Sequence, residues 1–166
     1  QSTYPPVDTN LLQALSIISQ VRKISSRTFA IIPYMGYARQ DKQFLSGEVI
    51  TMSVVAKMLQ SAGAKKVIVV DIHSNTALNH FNIPTENVSA VPELVKYFKK
   101  LKLKNPLVVS PDAGGSSRSK KFASLLKSDF IVLKKHRDRK TGRVNIQTTK
   151  VDVQGKDLII VDDMIS

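Results

Sequence analysis

A chain of 166 residues, 42% of them hydrophobic, fills one ordinary core or the adjoining parts of two smaller ones; without an apolar run near the roughly 20 residues of a membrane span, or a signal peptide, a soluble cytoplasmic protein is expected. The absence of cysteine excludes a disulfide scaffold and any thiolate metal site, which leaves carboxylate, imidazole and phosphate oxygen as ligands, a set that suits hard ions such as Mg²⁺. A net charge of +12 favours anionic partners and is concentrated late: residues 1–90 carry 8 Lys/Arg against 5 Asp/Glu, residues 91–166 carry 17 against 8.

Asp8, followed by Leu11, Leu12, Leu15, Ile18 and Val21, predicts a capped amphipathic helix with one buried stripe. Phe29–Ile32 is a strand, residues 48–61 a second helix closed by Gly63, and the β-branched run 67–72 a strand covered on both faces. Pro92 suits the first turn of a helix through Phe98, beyond which Lys99, Lys100, Lys102 and Lys104 solvate an exposed end. A strand at 107–109, a helix at 117–126 and a strand at 130–133 follow. A polar excursion, 134–155, contains an extended stretch at 144–147, and residues 158–161 form a last buried strand. Strands alternating with helices imply an α/β fold with parallel sheets, and Pro84 with its polar neighbours marks residues 82–91 as the softest boundary between two adjoining units.

In such sheets ligands bind beyond the carboxyl ends of strands. Four polar clusters stand there: Asp71-Ile72-His73, Ser110-Pro111-Asp112-Ala113-Gly114-Gly115, Lys135-His136-Arg137 and Asp162-Asp163. Asp112 to Ser117 leads from strand to helix, so Gly114 and Gly115 either let backbone amides approach a phosphate or simply make a tight turn with a helix cap. A carboxylate beside a phosphate site calls for a cation between them, and Asp112 supplies one. Asp162-Asp163 suits a sugar diol or a hydrated metal, and equally a helix cap. His73 alone is a satisfied, partly buried histidine or a ligand, and Arg39-Gln40-Asp41-Lys42 is a solvated loop or a lid that brings arginine to phosphate.

In their order and spacing these segments resemble the ribose-phosphate diphosphokinase (phosphoribosyl diphosphate synthase) family over essentially the whole chain. The resemblance rests on Gln1-Ser2-Thr3 with Pro5-Pro6, Pro33-Tyr34-Met35-Gly36-Tyr37-Ala38-Arg39-Gln40-Asp41-Lys42, Asp71-Ile72-His73, Ser110 through Gly115, and Val161-Asp162-Asp163-Met164-Ile165. It implies two adjoining type I phosphoribosyltransferase-like domains, both incomplete here: residues 1–89 as the remainder of the first and 90–166 as the beginning of the second. The implied reaction moves the diphosphoryl group of Mg-ATP to the 1-hydroxyl of ribose 5-phosphate and releases AMP, with Mg²⁺ as cofactor, ATP and ribose 5-phosphate as ligands, a homo-oligomer, and neither nucleic acid nor membrane as partner. By residue, the resemblance makes Lys135 and Arg137 catalytic, gives Arg39, Gln40 and His73 to ATP, His73 and Asp112 to the metal, and Asp112, Gly114 and Gly115 to the diphosphate. Asp162 and Asp163 take the ribose hydroxyls. It also implies an adenine-binding segment before residue 1 and a 5-phosphate loop after Ser166, so the segment by itself is expected to be inactive.

Four places depart from the family pattern, one of them a basic excursion, Arg139 to Arg143, longer than the pattern has. Leu78-Asn79-His80-Phe81 stands for a Gln-Gly-Phe-Phe type of stretch, Gln43-Phe44-Leu45-Ser46-Gly47 lacks the usual basic residues, and His136 stands where arginine is common. A non-catalytic regulatory relative is the alternative, although none of the implied catalytic residues is missing. A phosphoribosyltransferase consuming the activated sugar would account for Asp162-Asp163 but not for Arg39-Gln40 or His73. A basic nucleic-acid module lacks every recognition motif that should accompany the charge.

Overall fold

The computed structural model describes residues 5–133, 135–137, 144–146 and 151–164. The chain divides into two compact units, Gln1–Ser89 and Ala90–Ser166. Among the described residues no helix is long and apolar enough to cross a membrane.

The first unit opens with α1 (Val7–Ile24), whose cap is Pro6 without a side-chain bond. Asp8 is thus not the expected cap but a first-turn residue, where a carboxylate complements the positive end of the helix. The buried stripe is Leu11, Ala14 and Ile18; Leu12, about 100° around the helix from Leu11, is exposed, as is Val21. The strands β1 (Phe29–Ile32), β2 (Lys66–Val70) and β3 (Thr85–Val88) pair in parallel in the order β1-β2-β3. Ala30, Ile32, Val67 and Val69 share one core with the buried residues of α1 and α2 (Thr51–Ala62). The opposite face is not covered among the described residues: Phe29 and Ile31 are each 57% exposed. The expectation of a β2 strand buried on both faces is therefore corrected, because burial alternates along it with the two-residue period of a strand packed on one side only.

Local chemistry also moves the element boundaries. Helix α2 starts at Thr51 rather than 48, because the Glu48 carboxylate accepts the amides of Phe44 (2.7 Å) and Leu45 (3.0 Å) and so closes the preceding loop. Those two bonds hold the Glu48 carboxyl below the usual range. Gly63 ends the helix at φ +117°, and a methyl there would come within 2.3 Å of the Arg22 side chain, so glycine is required twice over. Asp71, at φ +42°, stops β2 two residues short of the expected end, and Ser74 then caps a 3-10 helix, Asn75–His80. Strand β3 lies where a polar boundary was expected; pairing with β2 overrides its weak local propensity.

In the second unit, α3 (Val91–Phe98) has proline in its first turn as expected. Strand β4 (Leu107–Ser110) is buried throughout and lies between β5 (Asp129–Val132) and β8 (Leu158–Ile160), both parallel to it. Helix α4 (Ser116–Leu126) lies on this sheet through Phe122, which meets Phe98 edge-on at 5.4 Å between ring centres. The short strands β6 (Lys135–Arg137) and β7 (Val144–Ile146) pair antiparallel, so the excursion after β5 returns on itself.

Candidate functional site

Parallel pairing brings the carboxyl ends of β4, β5 and β8 to one edge. Val161 N–H donates to the Val109 carbonyl at 3.1 Å and Leu133 N–H to the Ser110 carbonyl at 2.9 Å, which fixes the register up to the last residue. Everything beyond these residues leaves the sheet on the same side, where loops and the start of α4 collect.

The loop after β4 is built by short bonds. The fully buried Ser110 hydroxyl donates to the Asp112 carbonyl at 2.8 Å, and the Gly115 amide donates to Asp112 Oδ1 at 3.0 Å, folding the carboxylate back over the turn. Gly115 caps α4 at φ −81°, with no side chain capping the helix. A methyl on Gly115 would stand 3.3 Å from Ser110 Oγ, 3.6 Å from Asp162 Oδ1 and 3.9 Å from Asp112 Oδ1. Three oxygens from two strand ends therefore surround this position, and an added methyl would press most closely on Ser110 Oγ.

Asp162 follows β8. Its Oδ1 accepts the Asp163 amide at 2.8 Å. Partial desolvation at the strand end pushes its carboxyl above the usual range, and the neighbouring Asp163 and, last, the charge of Asp112 add to the effect against the opposing backbone bond. Asp163 is balanced differently, lying 3.8 Å from the Arg118 guanidinium on α4, with both side chains largely buried. The buried Ser119 hydroxyl ties the same helix to β8, with the Val161 carbonyl at 3.0 Å and the Gly115 carbonyl at 3.2 Å as acceptors. Crowded carboxylate oxygens beside a helix start favour a hard cation or hydroxyl donors, so the residues present fit Mg²⁺ chemistry. Among the described residues no three of His, Cys, Asp and Glu form a ready-made metal cage, and ligand and water oxygens would have to complete the shell.

The first unit carries the other expected residues. Beyond β1, Met35 and Ala38 are buried and Tyr37 adopts φ +62°, its hydroxyl donating to the Asp8 carboxylate on α1. That bond, followed by desolvation and the carboxylate charge, raises the phenol above its usual value. Arg39 and Gln40 emerge next and line an open cleft of about 400 Å³ with Lys42, Phe44, Glu48, Val49 and Thr51. Gln40 is held at both backbone groups, its N–H by the Tyr37 carbonyl (2.9 Å) and its carbonyl by the Met52 N–H (3.2 Å). The Lys42 ammonium lies 5.2 Å from the centre of the Phe44 ring. His73 is exposed just past β2, where the Asp71 amide bonds the Val88 carbonyl (2.9 Å) and the Ile72 amide the Asn87 side chain (3.2 Å).

The structure thus gathers Asp112, Gly115 and Asp162 at one point, with Gly114 in the same loop and Asp163 beside it, and it places Arg39 and Gln40 on one cleft. For Lys135 and Arg137 it gives the backbone strand β6, which begins two residues beyond Leu133 at the shared sheet edge; their side chains lie outside the described residues, as do Gln1-Ser2-Thr3, Ile165 and the basic stretch at 139–143. Sequence reading missed Arg118 and Ser119, whose roles are bonds between segments distant in the chain. The hydroxyls at 116, 117 and 119 at a helix start were the only available signal.

Residues 1–63 match the family model for the N-terminal domain of ribose phosphate pyrophosphokinase. Over 99% of its length the chain is 39% identical to the ribose-phosphate pyrophosphokinase of Bacillus caldolyticus and 41% identical to that of Shewanella oneidensis, and it spans 52% and 53% of those proteins. The enzyme of the same name from Sulfurisphaera tokodaii is 36% identical over all of this chain and 57% of its own length. The crystal structure of phosphoribosylpyrophosphate synthetase from Mycobacterium smegmatis superposes with a TM-score of 0.83 at 32% identity, covering 99% of this chain and 54% of that one. The chain therefore spans about half the length of the relatives it matches.

Proposed function

We propose, on the premise that this chain is a member of the ribose-phosphate pyrophosphokinase family along its whole length, that the protein transfers the diphosphoryl group of Mg-ATP to ribose 5-phosphate. The 1-hydroxyl oxygen of the sugar attacks the β-phosphorus and its proton passes to solvent, the bond from that phosphorus to the α,β-bridging oxygen breaks, and AMP leaves as 5-phosphoribosyl 1-diphosphate forms. The observation that carries the proposal is the convergence of Asp112, Gly115 and Asp162 at one edge of a parallel sheet.

In this reading Asp162 and Asp163 accept hydrogen bonds from ribose hydroxyls, while the turn 112–115 and the start of α4 receive the diphosphate. Arg39, Gln40 and His73 hold the nucleotide. By the family resemblance His73 in the first unit and Asp112 in the second would each contact Mg²⁺, which would neutralise phosphate charge. Lys135 and Arg137, alternating along β6 so that both can face one side, supply fixed positive charge to the oxygens of the transferring group. Phosphoryl-type transfer asks little covalent chemistry of the protein, so positioning and charge account for most of the acceleration. Family kinship alone supports a role in nucleotide biosynthesis, a cytoplasmic location and a homo-oligomer.

Phosphorus NMR of the natural-length protein with ATP, Mg²⁺ and ribose 5-phosphate should show AMP and the sugar diphosphate rising together. Formation of ADP or orthophosphate instead would overturn the assignment.

The raised Asp162 carboxyl adds a pH dependence with a definite sign. Its free form keeps a proton to higher pH than an ordinary aspartate, whereas accepting a ribose hydroxyl requires the carboxylate. Sugar binding should therefore release protons, and ribose 5-phosphate affinity should begin to fall, on acidification, above the ordinary aspartate range. Calorimetry in two buffers of different ionisation heat measures the release, and Asp162→Asn should abolish it.

A further inference from the structure

One of the bonds that hold the Arg39 loop comes from a position the catalytic reading leaves without a role. Asp41 is 4% exposed although its neighbours Gln40 and Lys42 are exposed, and its Oδ2 is buried with no hydrogen-bond partner among the described residues. Burying a carboxylate in this way is costly unless something else holds the segment in place. His80 provides that hold: its Nε2 lies 2.7 Å from the Asp41 carbonyl, a partly buried contact between residues 39 apart in sequence. A carbonyl has no proton to give, so Nε2 must be the protonated nitrogen and the donor. His80 in turn closes the 3-10 helix that follows His73, and the helix is capped by Ser74 and finished by the Phe81 amide on the Leu78 carbonyl (3.1 Å).

We infer that His80 is a positioning residue, a pin that fixes the Arg39-Gln40 end of the loop against the segment bearing His73 and so sets the groups that receive the nucleotide. Beyond Asp41 the loop has bonds of its own, from Glu48 to Phe44 and Leu45 and from the Gln43 amide to the Glu48 carbonyl (2.8 Å), and residues 42–49 are all exposed. Those bonds shape the loop without attaching it to the core. Two backbone attachments among the described residues flank the Asp41 α-carbon, the Met52 amide on the Gln40 carbonyl and the His80 bond on the Asp41 carbonyl. Loss of the His80 bond removes the hold on the Asp41 carbonyl and leaves a buried carboxylate with reason to leave.

The inference rests on the proposed nucleotide role of Arg39 and Gln40, but its first test does not. In the natural-length protein without ligands, tryptic cleavage after Arg39 and Lys42 should accelerate about five- to tenfold in His80→Phe, the change one hydrogen bond supports, while cleavage outside this loop is unchanged. His80→Gln, which can present an amide N–H to the same carbonyl, should restore resistance. In turnover assays His80→Phe should raise KM for Mg-ATP by a similar factor, with KM for ribose 5-phosphate and kcat little changed. Phenylalanine is the family-pattern residue at this position; should it nevertheless fail to fold, His80→Asn, too short to reach, against His80→Gln gives the same comparison. Cleavage after Lys42 at the original rate, or equal cleavage in the donor and non-donor variants, overturns the pin. Absence of AMP from the unaltered enzyme overturns the proposed reaction and leaves the proteolysis result standing.

Discussion

Replacing Lys135 by Ala should lower kcat by about 10²- to 10³-fold while changing the affinity for Mg-ATP by less than about threefold, the asymmetry of a charge that acts mainly in the transition state. Nonbridging oxygens of the transferring diphosphoryl group carry charge both before and during transfer, but only in the transition state is that group loosely bonded to both partners and dependent on fixed cations around it. The position suits this role: β6 leaves the sheet at the edge where the Asp112 loop and Asp162 collect. Lys135→Arg should recover only part of the loss, because a planar guanidinium presents its donors differently from a point-like ammonium. Single-turnover rates with a separate equilibrium measurement of ATP binding provide the check. Equal losses in both quantities would make Lys135 a ground-state binding residue instead.

Gly115→Ala should weaken binding of ribose 5-phosphate and of diphosphate by about 10- to 10²-fold while leaving thermal stability almost unchanged, since displacement of a reacting group by about 1 Å is enough for such losses. The backbone at Gly115, φ −81°, accepts alanine without strain, which separates this glycine from Gly63 and its φ of +117°. What the added methyl meets is the site itself, with Ser110 Oγ at 3.3 Å and the Asp162 and Asp112 oxygens beyond it. Ser110, the one that must give, is held by its bond to the Asp112 carbonyl, and Asp112 by the Gly115 amide, so its displacement disturbs the turn. Calorimetric titration with each ligand, beside a melting curve, distinguishes the outcomes. A large fall in melting temperature with unchanged affinity would mark Gly115 as a packing residue.

Much of the architecture is legible in the order of residues because it depends on periodicity and punctuation. The helical spacing of Leu11, Leu15 and Ile18, the positive-φ glycine at 63, the proline opening α3 and the apolar run of β4 each act within a few residues of themselves. Motif order also exposed the polar clusters at strand ends, since a parallel sheet converts adjacency to a strand's end into adjacency in space. Errors arose where a side chain bonds outside its own element. Glu48 was assigned to a helix that its carboxylate excludes it from, Asp8 was assigned a cap but meets Tyr37, and β3 forms only because β2 is there to pair with it.

By itself, then, the sequence determined the α/β class, the kinship and the small set of residues with phosphate and sugar chemistry, because these follow from local spacing and residue type. Only the tertiary structure decided that three oxygens surround Gly115, that Ser119 ties α4 to β8, that burial alternates along β2, and that His80 reaches Asp41. Each of these is a contact between segments far apart along the chain. Whether such a contact forms depends on strand order and register, which no local pattern of residues encodes.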